Sequence, residues 1–155
     1  MRTSSFLFTL ILVVTFLMIL PNFFIYLNDS FQLPVYTNII FQIIGGIFIL
    51  GAILNDFSSF MLFKKFGQGT PVIIEPTKKL VIKGLYKYTR NPIYLGHILI
   101  VIGELLLFGR PFLLVYILLA FIFLHFYIIK YEEPEMDRKF GNDYFKYKTM
   151  VNRWL

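Results

Sequence analysis

The chain has 155 residues, no cysteine, and a formal net charge of +6 from 15 Lys and Arg against 9 Asp and Glu. It is 57% hydrophobic and only 15% charged, whereas a soluble domain carries roughly 45–50% apolar and about 25% charged residues. That surplus excludes a soluble core inside a polar shell and calls for lipid. The missing cysteine excludes disulfides, thiolate catalysis and a Cys-type zinc site.

Phe6 to Leu27 carries no charge and is long enough to cross a bilayer, which takes about 20 apolar residues. Arg2 ahead of an apolar run also fits a secretory signal. The run exceeds an h-region of about 7–15 residues, however, and Pro21-Asn22-Phe23-Phe24-Ile25-Tyr26 is too bulky for a small-residue cleavage site. A second apolar run extends from Val35 to Phe63, interrupted only by Asn55 and Asp56; a third spans Ile93 to Phe108 and a fourth Phe112 to Ile129. Gly109-Arg110-Pro111 between the last two reads as a tight turn that makes them an antiparallel hairpin. The expectation is an all-α integral membrane protein of about four transmembrane helices, or five if the second run splits. A polar loop and a C-terminal amphipathic helix complete it. We read 1–155 as one domain, with two spans in 1–63 and the polar-rich half in 64–155.

Basic residues set the orientation. All except Arg110 fall at the N-terminus, in the loop from Lys64 to Asn91, or in the tail from Lys130 to Leu155. An even number of spans gathers those three regions on one side, and the positive-inside rule makes that side cytoplasmic, with both termini in the cytosol. Anionic headgroups there attract basic residues by about 1 kcal/mol each. The net charge thus needs no nucleic acid as a partner.

The loop opens with Gly67-Gln68-Gly69-Thr70-Pro71, flexible then stiff, and runs from Glu75 to Tyr86 as irregular chain with a short extended piece. Arg90-Asn91-Pro92 then starts the third span, Pro92 suiting a first helical turn and Asn91 an N-cap. Such a helix N-terminus favours an anion. The tail begins at Tyr131-Glu132-Glu133-Pro134, where the fourth span is expected to end. Phe140, Tyr144, Tyr147, Val151 and Trp154 then recur at spacings of 4, 3, 4 and 3. That is one helix face, bent or restarted at Gly141-Asn142. With Lys139, Lys146, Lys148 and Arg153 it forms a basic amphipathic segment, either an interfacial anchor or a lid packed over the loop. The hairpin brings Arg90-Asn91 beside Glu132-Glu133. Their cluster is either an ion-pair network or a site for a ribose, an amine or a sulfonium.

Ionisable residues inside spans lean functional. Pairing the hairpin about its turn puts His97 and His125 at similar depth. His125 then either touches a substrate or makes a helix–helix hydrogen bond. Glu104 falls in register with Tyr116 and is expected to bond it. Asp56 lies about 10 Å inside Lys64 at 1.5 Å per residue. It snorkels, pairs with Asn55 or a neighbouring span, or lines a lipid entrance.

The string from Gly84 to Gly96 contains Arg90-Asn91-Pro92-Ile93-Tyr94; a hydrophobic hairpin and Glu132-Glu133 follow. It resembles the isoprenylcysteine carboxyl methyltransferase and phospholipid methyltransferase group, whose signature is an Arg-His-Pro-x-Tyr stretch, a hydrophobic region and a Glu-Glu pair. Phe140-Gly141-x-x-Tyr144-x-x-Tyr147, Val151 and Arg153-Trp154 match the usual tail. The resemblance covers Gly67 to Trp154, and the first two spans match only as generic membrane helices. It implies S-adenosylmethionine as cofactor, held on the cytosolic side by Lys79, Leu80, Val81, Tyr86, Asn91, Pro92, Ile93, Tyr94, Glu132 and Glu133. For methyl transfer from a sulfonium, Arg90 would hold a cofactor or substrate carboxylate or phosphate and Glu133 would accept the proton of an amine, which makes these two the catalytic candidates. His125, about two turns before the glutamate pair, is the candidate substrate contact, and the reaction needs no metal. The acceptor is a membrane-borne amphiphile such as a prenylcysteine carboxylate or a phospholipid amine, entering among membrane lipids. The family's histidine is Asn91 here, which can cap a helix and bond a cofactor but cannot titrate near neutral pH. The rival readings are a non-catalytic membrane scaffold and a small transporter.

Overall fold

Every regular element among the described residues, 3–67 and 78–155 of the computed structural model, is helical. Residues 68–77, which hold most of the Gly67–Pro71 stretch and the start of the irregular chain from Glu75, lie outside the described residues; from Lys78 to Lys83 that chain is irregular, and a 3₁₀ turn follows at Gly84–Lys87. The first apolar run forms α1 (Thr3–Val14), a π-turn at Thr15–Ile19 and α2 (Leu20–Ser30) in unbroken succession. The π-turn has a local cause. Pro21 has no N–H to return to the preceding turn and its ring crowds the carbonyl there. The ladder widens instead, and the Leu20 N–H bonds the Thr15 carbonyl five residues back. Phe16 is left with Pro21 as its would-be π partner. No water reaches such a carbonyl in lipid, and the Tyr116 hydroxyl donates to it at 2.6 Å. That is why Tyr116 does not bond Glu104, as register alone suggests.

The second run is a single helix, α3 (Ile39–Leu62), continued by a π-turn at Phe63–Gly67. It does not split at Asn55-Asp56. It also begins later than Val35, because the Asn38 side chain accepts the Ile40 N–H at 2.8 Å and caps it there. The third run is α4 (Pro92–Phe108) and the fourth begins as α5 (Phe112–Tyr127).

The fourth run does not end before the glutamates. A π-turn at Ile128–Glu132 carries it directly into α6 (Glu133–Phe140). Pro134 stands two residues beyond this π-turn, as Pro21 stands beyond the first, and the Glu133 N–H reaches back to the Ile128 carbonyl. Gly141, at φ 50°, turns the chain into α7 (Asn142–Met150). The tail face therefore holds only in part. Tyr144, Tyr147 and Val151 are buried together over Leu80 and Ile82, so the tail packs on the loop. Trp154 lies beyond α7 and packs instead against the hairpin core of Ile98, Val101, Tyr116, Ala120 and Leu124.

Three helices, Leu7–Ser30, Ile39–Gly67 and Phe112–Phe140, are long and apolar enough to cross a membrane, and Pro92–Phe108 is a shorter apolar helix. Ile43, Ile47, Leu50 and Leu54 of α3 are each more than half exposed. A large outward apolar stripe of this kind belongs in lipid. On the inward side of α3, a Cβ on Gly45 would sit 2.6 Å from the Gly103 carbonyl and one on Gly103 2.7 Å from the Gly45 carbonyl. Small residues thus let the two backbones approach closely, as in other membrane helix pairs.

The bundle has two distinct ends. At one, Arg110 bonds Asp29 at 3.0 and 3.3 Å, and the Tyr36 N–H donates to the Gly109 carbonyl at 2.8 Å. At the other, the Gly67 carbonyl accepts the N–H groups of Lys78 and Lys79. The 3₁₀ turn Gly84–Lys87 and the C-terminal segment close over that second end.

Candidate functional site

Four pieces of chain converge beyond the second end of the hairpin. They are the turn Thr89–Asn91, the first turn of α4, the junction between the third π-turn and α6, and the extended C-terminus after α7. Adjacent residues on a helix point about 100° apart, so Glu132 and Glu133 leave the junction in different directions. Glu132 accepts the Tyr94 hydroxyl at 2.7 Å. Glu133 accepts Arg90 Nη1 at 2.8 Å and is clasped by Arg153, Nε at 2.8 Å and Nη2 at 2.9 Å. That clasp is the bidentate fork for which guanidinium is suited. Arg90 Nη1 also donates to the Tyr144 hydroxyl at 3.2 Å, tying α7 to the cluster.

Backbone bonds hold the C-terminal segment in reach. The Arg90 N–H donates to the Asn152 carbonyl at 3.0 Å, and the Arg153 carbonyl accepts both Thr89 Oγ1 at 3.1 Å and Asn91 Nδ2 at 3.0 Å. Asn91 stands at the N-cap position, yet its side chain makes no capping bond. Its Nδ2 is committed to the Arg153 carbonyl, which fixes the orientation of the amide. Thr89 Oγ1 accepts the Asn91 N–H instead, at 3.1 Å. Trp154 Nε1 donates to His125 Nδ1 at 3.1 Å, and His125 stacks on Phe121. In this arrangement His125 anchors the end of the chain.

The Arg90 and Glu133 side chains are 10% and 13% exposed, so theirs is a shielded ion pair rather than a surface one. The Glu133 carboxylate bonded to Arg153 raises that guanidinium's affinity for its proton, and burial pushes the Tyr144 hydroxyl up likewise. Arg90 Nε is buried with no hydrogen-bond partner among the described residues. An orphaned guanidinium N–H beside the start of α4 fits a carboxylate. Glu132, on the other side of Tyr94, fits hydroxyl, amino or cationic groups. Together they suit a zwitterionic ligand.

The other expected cofactor residues form a second wall. Val81 and Tyr86 are buried, and Leu80 packs against Tyr144, Tyr147 and Val151. The Tyr86 carbonyl accepts the Tyr147 hydroxyl at 2.6 Å. Its ring meets Phe63 edge-on at 5.2 Å, and burial raises its hydroxyl above the ordinary tyrosine range. Lys79 and Leu80 line an open cleft of about 500 Å³ with Lys78, Phe140, Lys146 and Met150. Pro92 is buried, with its carbonyl accepting Asn55 Nδ2 at 2.8 Å, and Ile93 is half-buried beside it. The structure thus pairs Arg90 with Glu133 and Tyr94 with Glu132, ties Asn91 to the Arg153 carbonyl, and links Arg90 through Tyr144 to the Leu80 wall. Sequence reasoning gave Arg153 no role beyond charge. Its place in the tail motif beside Trp154 was the only signal available.

Neither the curated proteins nor the solved structures give a significant match to the chain. The family model of phospholipid methyltransferases matches residues 40–143. That stretch runs from α3 to the start of α7 and contains Arg90, Tyr94, Glu132 and Glu133, whereas Arg153 lies beyond it. With most of the sequence matched, and with the signature residues gathered at one end of a helical hairpin, the chain belongs to the phospholipid methyltransferase family of membrane enzymes.

Proposed function

We propose that the chain transfers a methyl group from S-adenosylmethionine to a lipophilic acceptor that reaches it from the bilayer. The observation that supports this most directly is the cluster of Arg90, Tyr94, Glu132 and Glu133, with Arg90 Nε left unbonded. Arg90 binds the carboxylate of the cofactor. Glu132, held by Tyr94, takes its polar or cationic groups. Lys79, Leu80, Val81 and Tyr86 form the adjoining wall, and the backbone of Asn91, Pro92 and Ile93 borders the site. Bound there, S-adenosylmethionine supplies an electrophilic methyl on a cationic sulfur. The protein's task is alignment, and positioning of this kind contributes on the order of 7–11 kcal/mol.

Glu133 is saturated by two guanidinium groups. Its part is to set the rotamer of Arg90 and hold the C-terminus closed. Asn91 serves the same closure through Arg153. The basic loop and tail support a cytosolic position for this end of the bundle, where a soluble cofactor is available. Calorimetry with S-adenosylhomocysteine in lipid nanodiscs tests the reading. Saturable binding to the wild type that Arg90→Ala abolishes supports it; a folded, monodisperse wild type that binds nothing refutes it.

A further inference from the structure

Within the spans, the carboxylate of Asp56 has neighbours of its own: Asn55 Nδ2 donates to Oδ1 at 2.9 Å, and His97 Nε2 faces Oδ2 at 3.5 Å. Three exposed cations at the end of the bundle have no such counterpart. Lys78, Lys79 and Lys146 converge on the open cleft of about 500 Å³, and among the described residues none of them pairs with a carboxylate. Asp143 is the one acidic residue lining the cleft, so three ammonium groups less one carboxylate leave a formal charge of +2 there. One wall is fixed to the membrane. The Lys78 and Lys79 N–H groups donate to the Gly67 carbonyl at 2.8 and 3.1 Å, and Gly67 is the last residue of the long apolar helix Ile39–Gly67. Both lysines therefore leave the backbone at the level where a span ends and lipid headgroups begin. Lys83 holds the same level, its Nζ 3.9 Å from the centre of the Phe66 ring.

The opposite wall is α7. Asp143, Lys146 and Met150 recur at spacings of 3 and 4 and share one face of that helix. The neighbouring face, formed by Tyr144 and Tyr147, is buried on Leu80 and Ile82, which fixes how α7 is turned toward the cleft. Between the charges the lining is apolar, from Leu80, Ile82, Phe140 and Met150. Phe145 and Met150 are 59% and 69% exposed. Apolar side chains standing beside lysines are what a helix lying in a headgroup layer presents. A soluble anion gains nothing from such a lining. A phospholipid does, because its phosphate meets the lysines while its glycerol and first methylenes cover the apolar surface.

We propose that this cleft binds an anionic phospholipid of the surrounding bilayer, one whose headgroup carries hydroxyls, as phosphoglycerol does. The phosphate lies among Lys78, Lys79 and Lys146, and Asp143 accepts the headgroup hydroxyls. Such a lipid has no amine and is not a methyl acceptor, so the site goes beyond the proposed reaction and stands without it. The excess of positive charge sets net-negative lipids above zwitterionic ones. The bound lipid bridges the loop and α7 and so secures the packing of Tyr144 on Leu80. Because Tyr144 also accepts from Arg90, the charge of the leaflet stabilises the closed arrangement of the ion-pair cluster.

The test uses the full-length protein in a nonionic detergent with equimolar dioleoyl phosphatidylglycerol and dioleoyl phosphatidylcholine. Native mass spectrometry reads the ratio of the two lipids bound. The wild type is expected to prefer phosphatidylglycerol. Lys78→Gln combined with Lys146→Gln should lower that preference about tenfold, the scale of two lysines near a headgroup. Lys87→Gln combined with Lys130→Gln removes the same charge from exposed positions outside the cleft and should leave the preference in place. Met150→Glu, which sets a second carboxylate in the cleft, carries the comparison if the first double variant does not fold. Glycerol 3-phosphate at the concentration of the lipid should displace none of it. A wild type without the preference overturns the site, and so does a cleft variant that keeps it. Equal losses in the two double variants would reduce the effect to diffuse charge and overturn it as well. Displacement by glycerol 3-phosphate would make the occupant a soluble anion and end the lipid assignment.

Discussion

Replacing Glu133 by glutamine keeps the shape of the side chain and removes the one carboxylate that faces both Arg90 and Arg153. Three hydrogen bonds end on it, at 2.8, 2.8 and 2.9 Å. Two of them share Oε1, so a glutamine carbonyl in that place can retain both, but its amide N–H groups then face Arg153 Nη2, itself a donor, and the charge is gone. Breaking a buried ion pair by removing one partner costs about 3–5 kcal/mol. Arg153 is 26% exposed and regains some water, which places the expected loss near the lower end, about 3 kcal/mol. For a chain of this size each kcal/mol moves the midpoint by roughly 2–4 °C, so thermal unfolding in detergent should begin about 6–12 °C lower. Hydrogen exchange should localise the effect, with the amide of Arg90, bonded to the Asn152 carbonyl, losing protection before the hairpin does. Arg153→Ala should destabilise less, since Arg90 still neutralises Glu133, and the double variant should fall short of the sum. A Glu133→Gln midpoint within 2 °C of the wild type, with the Arg90 amide still protected, would show that the clasp does not hold the C-terminus.

Tyr116→Phe leaves the Phe16 carbonyl without a donor inside the bilayer, and a loss of about 0.6–1.7 kcal/mol is expected in unfolding measurements. Pro21→Ala supplies the missing N–H, so Tyr116→Phe should be nearly silent in that background; additive losses would contradict the assigned cause of the first π-turn. At the opposite end of the bundle, Arg110 and Asp29 are 25% and 49% exposed. Asp29→Asn should therefore change the unfolding midpoint little, and salt should shrink the difference further.

Much of this architecture is a property of the residues taken in order. Runs of uncharged apolar residues fix the spans by length, and Gly109-Arg110-Pro111 forces the turn between the last two. With the hairpin given, Arg90 and Glu133 have to emerge on the same side. Packing decided what composition leaves open. The run of α5 through Glu132-Glu133 into α6 depends on a π-turn ahead of Pro134, where a proline alone reads as an end. Trp154 continues the helical spacing of Phe140, Tyr144, Tyr147 and Val151. It leaves that face because Arg153 is drawn to Glu133 and the indole to His125. Tyr116 bonds Phe16 rather than Glu104, and Asp56 meets His97, because the rotation of each helix about its axis selects among polar groups of similar depth. Hydropathy is a sum over single residues and carries no such rotation. The rotation comes from contacts between distant parts of the chain, such as Gly45 against Gly103 and Gly96 against Asp56. Those contacts also determine which carboxylates and guanidinium groups share a site.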